Sequence, residues 1–207
     1  MSPERFVQEI LVDKFRIREA YCGFNYTFGD RGAGDTALLK TLGEELGIAV
    51  RVLGPVSYEN EPVSSTRIRA CLEQGELETA NAMLGTCYAL SGAVTANRRI
   101  GHALGFPTAN LEGYGNKVLP LSGVYAARAF VAGEAFNAVT NVGNNPTVEG
   151  RSTTVETHLL DFERDIYGMP LRVEFVERLR GEVKFPSREA LAAQIAADAA
   201  HARAILK

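Results

Sequence analysis

Tryptophan is missing from the 207 residues, and histidine and cysteine are scarce, with three of each. Cys22, Cys71 and Cys87 are widely spaced, odd in number and outside any Cys-x-x-Cys pair. That supports neither a disulfide framework nor a zinc site. No apolar run approaches the roughly 20 residues a membrane helix needs. The N-terminal MSPERFVQEILVDKF carries acids and lacks the basic-then-apolar order of a signal peptide. Basic residues are not in excess either: 22 Lys and Arg against 25 Asp and Glu leave a net charge of −3, with no basic block. Nucleic acid therefore has no electrostatic footprint to follow. What is present, 46% hydrophobic and 23% charged residues, is the composition of an ordinary globular chain. The expectation is a cytoplasmic protein that binds neither nucleic acid nor membrane and handles a small molecule.

The two halves of the chain carry different periods. In the first, Ser2-Pro3 is a helix start, a cap followed by proline where a missing N–H costs nothing. The spacing predicts a buried strand over Arg18 to Phe24. A helix capped by Asp35 follows, with Leu38, Leu39, Leu42 and Leu46 on one face and Gly47 as its stop. IAVRVLGPV reads as the next strand. Ser64 or Ser65 caps a third helix ending at Gly75, and a short fourth runs to Met83-Leu84. This order implies a partly parallel sheet with helices on its faces. After Gly85 the segments 88–95, 124–131, 136–142, 154–160 and 171–179 read as short strands rich in β-branched and aromatic residues, with a hairpin turn at Ala132-Gly133-Glu134. Such strands predict a closed barrel or a sandwich. Ser187 caps a last, alanine-rich helix, Arg188 to Leu206, expected to pack on that barrel. The domain break is expected near residues 84 to 87.

Five segments carry more polar residues, glycine and proline than their structural role requires. In RRIGHALGFPTANL, Thr108 and Asn110 would face one side of a strand and supply oxygen ligands for Mg²⁺, a hard ion that takes its other ligands from water and phosphates. On spacing alone an ordinary turn into a strand explains that segment better. In TTVETHL, Glu156 is either a general base or part of a solvated face, and His158 reads as a structural neighbour rather than a metal ligand. Turns and a solvated edge account for NVGNNPT and LRGEVKF. VSSTRIR is either an anion site at a helix N-terminus or a plain capping run.

Together and in this order, LGFPTANL, SGVYAA, TNVGNNPTV, VETHLLDFERDIYG and LRGEVKF resemble the riboflavin kinase module of the prokaryotic bifunctional riboflavin kinase/FAD synthetases. CGFNYTFGDRGAGD and PVSSTRIR resemble the second part of that family's FMN adenylyltransferase module. The resemblance implies an α/β remnant of a Rossmann-like nucleotidyltransferase over residues 1–85. A mainly β riboflavin kinase barrel with a C-terminal helix would then cover 86–207. The family's His-x-Gly-His nucleotide motif has no counterpart here, where the histidines are His102, His158 and His201. The resemblance thus implies an N-terminally truncated member whose adenylyltransferase activity is lost and whose shortened sheet exposes apolar surface and an unpaired edge.

The implied reaction is transfer of the ATP γ-phosphate to the ribityl hydroxyl of riboflavin, giving FMN. By the resemblance, Glu156 is the catalytic base, and Thr108 and Asn110 hold Mg²⁺ and phosphate. Arg99, Gly101 and His102 form a flap over ATP, with Tyr167 near the nucleotide. Arg180, Glu182 and Phe185 form the flavin-side loop, and Ser65, Thr66 and Arg69 are left from the adenylyltransferase site. The flap departs from the family at Asn97, where a glycine is usual nearby, and at His102, where a basic residue is usual. Those departures bear on ATP affinity rather than on reaction type. A non-catalytic flavin-binding module is the rival reading.

Overall fold

The computed structural model describes residues 1–95, 106–147 and 150–207, with the backbone alone for 144–147 and 150–152. It divides into two compact units, Met1–Val63 and Ser64–Lys207.

In the first unit, the Ser2 hydroxyl accepts from the Arg5 N–H at 3.3 Å and opens helix α1 (Pro3–Arg5). The helix continues as a wider coil over Phe6–Lys14, where the Phe15 N–H reaches back five residues to the Ile10 carbonyl at 3.0 Å. Strands β1 (Glu19–Gly23) and β2 (Ala49–Leu53) pair in parallel from Glu19↔Ala49 to Gly23↔Leu53. Helix α2 (Thr36–Leu46) connects them, capped by Asp35 and ended by Gly47 in the left-handed region. A small hairpin, β3 (Ser57–Tyr58) and β4 (Glu61–Pro62), follows. Val7, Phe28, Leu39 and Ile48 form the core. The parallel pair and its helices agree with the α/β reading. The 18–24 segment is not a buried strand, however. Along β1, exposed and half-buried residues alternate, because one face of the two-stranded sheet is uncovered. Tyr21 and Leu53 lie exposed on it.

The second unit begins with α3 (Ser65–Gln74, capped by Ser64) and α4 (Leu77–Leu84). Six strands follow: β5 (Tyr88–Thr95), β6 (Ala109–Glu112), β7 (Gly123–Val131), β8 (Glu134–Thr147), β9 (Gly150–Leu159) and β10 (Pro170–Arg180). They close into a barrel in the order β10-β5-β6-β9-β8-β7. All its pairings are antiparallel. Ala132 and Gly133, both at positive φ, make the two-residue turn between β7 and β8. The barrel interior is filled by residues such as Leu90, Tyr125, Val142, Val155, Val173 and Phe175, each essentially sealed from solvent. Two interior threonines, Thr140 and Thr157, satisfy each other at 3.1 Å. Helix α5 (Arg188–Ile205), capped by Ser187, packs Ala199 and Ala202, with Leu206 just beyond its end, on the outer residues Val124, Ala126 and Val139.

The change of period near residues 84–87 coincides with the first barrel strand, whereas the compact unit already starts at Ser64. The reason is the tie between α4 and the barrel. Asn81 donates to the Phe175 carbonyl at 3.0 Å and accepts from the Tyr88 N–H at 2.7 Å. Leu121 N–H also reaches the Leu72 carbonyl of α3 at 2.8 Å.

Candidate active site

Side chains alternate along a strand, so neighbours in register share a face. Asn110 of β6 pairs in register with Glu156 of β9, and Glu156 in turn with Asn141 of β8. The residues flanking them in sequence, Ala109, Leu111, Val155, Thr157, Thr140 and Val142, are buried. Asn110, Glu156 and Asn141 therefore form one polar row on the outer wall of the barrel. The Glu156 carboxyl is pushed above the ordinary glutamate range by burial. Asn110 is buried, at 8% exposure.

On one side of this row the chain enters β6 through Phe106-Pro107-Thr108. His158 fixes that approach, its Nδ1 2.8 Å from the Pro107 carbonyl and its ring edge-on to Phe106. The contact places His158 as a structural neighbour, and no group of three or more His, Cys, Asp or Glu able to hold a metal occurs among the described residues. Thr108 and Tyr167 line a cavity of about 470 Å³ with Val94, Leu159, Phe162 and Ile166, a size in the range of small-molecule sites. The 161–169 segment is held by the Gly168 N–H on the Val94 carbonyl and the Val94 N–H on the Met169 carbonyl. Asp165 also accepts from the Tyr167 N–H at 2.9 Å. Arg164 lies over Phe136 and Phe162 and pairs with Glu134 at 2.8 Å.

On the other side lies the segment after β10. A side chain on Gly143, two residues beyond Asn141, would put its Cβ 2.7 Å from Glu182 Oε1 and 3.0 Å from Asn141 Nδ2. Glu182 thus comes over β8, on the face of the polar row. Arg180 is committed elsewhere: it forms a 2.7 Å ion pair with Asp198 and lies over the Phe185 ring, 5.7 Å from its centroid.

The structure therefore brings Thr108, Asn110, Glu156, Tyr167 and Glu182 onto the barrel wall and its rim, with Phe185 tied to the rim through Arg180. Arg99, Gly101 and His102, and Asn97 with them, lie outside the described residues. Ser65, Thr66 and Arg69 are exposed on the first turns of α3, which carries none of the polar row. Asn141 opens the NVGNNPT segment that sequence assigns to turns; the structure continues β8 through it, and strand register shows that Asn141 faces Glu156.

The riboflavin kinase (flavokinase) family model matches residues 84–206, and the FAD synthetase family model matches residues 1–67. Relatives named bifunctional riboflavin kinase/FMN adenylyltransferase include that of Haemophilus influenzae, 35% identical over 96% of this chain and 65% of its own length. That of Bacillus subtilis is 32% identical over 96% and 63%, and that of Escherichia coli K12 is 34% identical over 98% and 65%. The chain thus spans slightly less than two thirds of the length of these curated relatives. A solved structure described as a macrolide-efflux protein from Streptococcus pneumoniae superposes with a TM-score of 0.89 at 30% identity, over 98% of this chain and 65% of that one. Among the described residues here, no helix is long and apolar enough to cross a membrane. With the closed six-stranded barrel and a family match extending over most of its length, the chain belongs to the riboflavin kinase family.

Proposed function

We propose that this chain transfers the γ-phosphate of ATP to the terminal ribityl hydroxyl of riboflavin, giving FMN and ADP, in the cytoplasm. The observation that supports this reading best is the polar row on the outer barrel wall. It puts one carboxylate between two amides, with a cavity of nucleotide size on one side and the Glu182–Phe185 segment on the other. Phosphoryl transfer needs little covalent chemistry from the protein, so positioning and charge neutralisation carry most of the rate. Glu156 accepts the proton of the attacking hydroxyl, and its burial makes it a stronger base than a solvated glutamate. Thr108 and Tyr167 border the nucleotide cavity, with Arg99, Gly101 and His102 over the phosphates. Glu182 and Phe185 face the flavin, while Arg180 holds Phe185 in place.

The Thr108 hydroxyl and the Asn110 amide oxygen are hard donors of the kind that suit Mg²⁺, and a site without a carboxylate cage suits an ion that keeps waters and phosphate oxygens as ligands. Bound there, Mg²⁺ supplies charge neutralisation for the transferred phosphate. The FMN adenylyltransferase step of the relatives is a separate matter. The given sequence carries no His-x-Gly-His motif, and on this reading Ser65, Thr66 and Arg69 correspond to part of that site.

The test is to incubate the purified chain with riboflavin, ATP and Mg²⁺ and to separate the flavins by chromatography. FMN without FAD is the expected result. FAD would overturn the reading of the N-terminal part. Riboflavin binding without any product would favour a flavin-binding module, with the departures at Asn97 and His102 as its cause.

A further inference from the structure

Helix α5 is held to the barrel by apolar contacts, yet it also buries a carboxylate. Asp198 is 5% exposed, and both of its oxygens are engaged. Oδ1 accepts from Arg180 Nε at 3.1 Å and from Gln194 Nε2 at 2.8 Å. Oδ2 accepts from Arg180 Nε at 3.1 Å and Nη2 at 2.7 Å. Arg180 spends its remaining Nη1 on the Gly181 carbonyl at 3.0 Å and presents its guanidinium to the face of Phe185. Burying an ion pair carries a desolvation cost that an apolar residue would avoid, so a buried pair is weak evidence for stability alone. This pair sits at the base of a loop, where it fixes geometry. Residues 181–187 leave the barrel at Arg180 and return to helix at the Ser187 cap, and Asp198 clamps the departure point to the helix that follows.

We infer that Asp198 is a positioning residue for the flavin. Through Arg180 it fixes Phe185 and the start of the segment that brings Glu182 over Gly143, so the flavin side of the site is formed before substrate arrives. The inference rests on the riboflavin kinase reading. Its physical content is preorganisation: a loop ordered beforehand does not have to be ordered by the ligand. Without the carboxylate, the guanidinium loses its fixed orientation, and Phe185 loses the cation against its ring.

The experiment compares the whole chain with Asp198→Asn and Arg180→Lys. Riboflavin Kd is read by flavin fluorescence without ATP, KM for each substrate by turnover, and folding by thermal unfolding. Both variants should raise riboflavin Kd and KM by about tenfold, the equivalent of one geometrically fixed contact, with the KM for ATP within about twofold. In a Phe185→Ala background, the effect of Asp198→Asn should shrink, since part of it acts through that ring. A folded variant with unchanged riboflavin Kd, an equal rise in both KM values, or an undiminished effect in the Phe185→Ala background would each overturn the inference. If Asp198→Asn does not fold, Arg180→Lys decides by the same criteria. Failure of both to fold would make the pair a structural requirement and overturn it as well. If the unsubstituted chain makes no FMN, the kinase reading fails, while the binding measurement still judges the positioning role.

Discussion

Glu156 shows how one residue can be in place for chemistry at a cost to the fold. Its carboxyl is held above the ordinary glutamate range by burial. The acid limb of turnover should therefore lie at higher pH than for a solvated glutamate, with kcat falling as pH drops through that raised value. Glu156→Gln should leave ATP and riboflavin binding nearly intact and lower turnover by about two to four orders of magnitude. Unchanged turnover would remove Glu156 from the role of base. The same shift has a consequence for stability. A carboxyl whose pKa is raised on folding favours the folded state while it is protonated, and that contribution is lost as pH rises through the folded value. Glu156→Gln should accordingly melt higher than the unsubstituted chain at neutral pH. The difference should vanish below the ordinary glutamate range, which thermal unfolding across pH would show.

At the scale of elements, register decides which residues meet. Thr108, Asn110 and Glu156 were marked out by the family resemblance, since composition alone left one segment as an ordinary turn into a strand and the other as either a base or a solvated face. Asn141 opens NVGNNPT, a segment that sequence assigns to turns, whereas β8 runs through it and its pairing with β9 sets Asn141 beside Glu156. Asp198 was invisible for a similar reason. In an alanine-rich helix it reads as a solvated residue, and its partner lies on a strand that sequence cannot orient. The 18–24 strand was misjudged because local apolarity does not tell whether a second layer covers the sheet.

Two glycines make this scale testable. At Gly92 in β5 a Cβ would stand 2.0 Å from the Glu112 carbonyl oxygen, a backbone atom of the adjacent β6. Gly92→Ala must therefore push two strands apart, with an expected stability loss of about 1–3 kcal/mol or more, as for overpacked interiors. Denaturant titration would measure it. At Gly143 the atom in the way is the end of the Glu182 side chain, which can move aside. Gly143→Ala should thus leave the melting temperature nearly unchanged and raise the KM for riboflavin. A large drop in melting temperature would place Glu182 in the fold rather than in the site.

For the whole molecule, the caps of α2, α3 and α5, the glycine stops of α2 and α3 and the positions of five barrel strands were readable from propensity and period. The extent of the barrel-bearing unit was not. The period changes where the barrel begins, and the riboflavin kinase family match starts at residue 84, yet α3 and α4 are packed as part of the same unit. Leu72, Leu77, Ala80 and Met83 are buried there. A fragment of residues 64–207 should therefore unfold cooperatively near the temperature of the full chain. A fragment of 86–207 should melt markedly lower, because it loses the Asn81 bonds to β5 and β10 and exposes the surface those helices cover. Equal melting of the two fragments would return the boundary to the change of period.

Among the described residues, the barrel interior is filled mainly by aliphatic and aromatic side chains, with the Thr140–Thr157 pair bonded to itself. The polar row proposed for the chemistry stands on the outer wall, and the cavity beside it is also lined by the inward-facing Val94 and Leu159. An engineer could then treat the protein as two separable design problems. The inside away from Val94, Ala109 and Leu159 can be redesigned for heat resistance at constant volume, judged by melting temperature alone. The rim can be varied for altered flavin analogues, judged by turnover alone, and gains made on one side should carry over unchanged to the other.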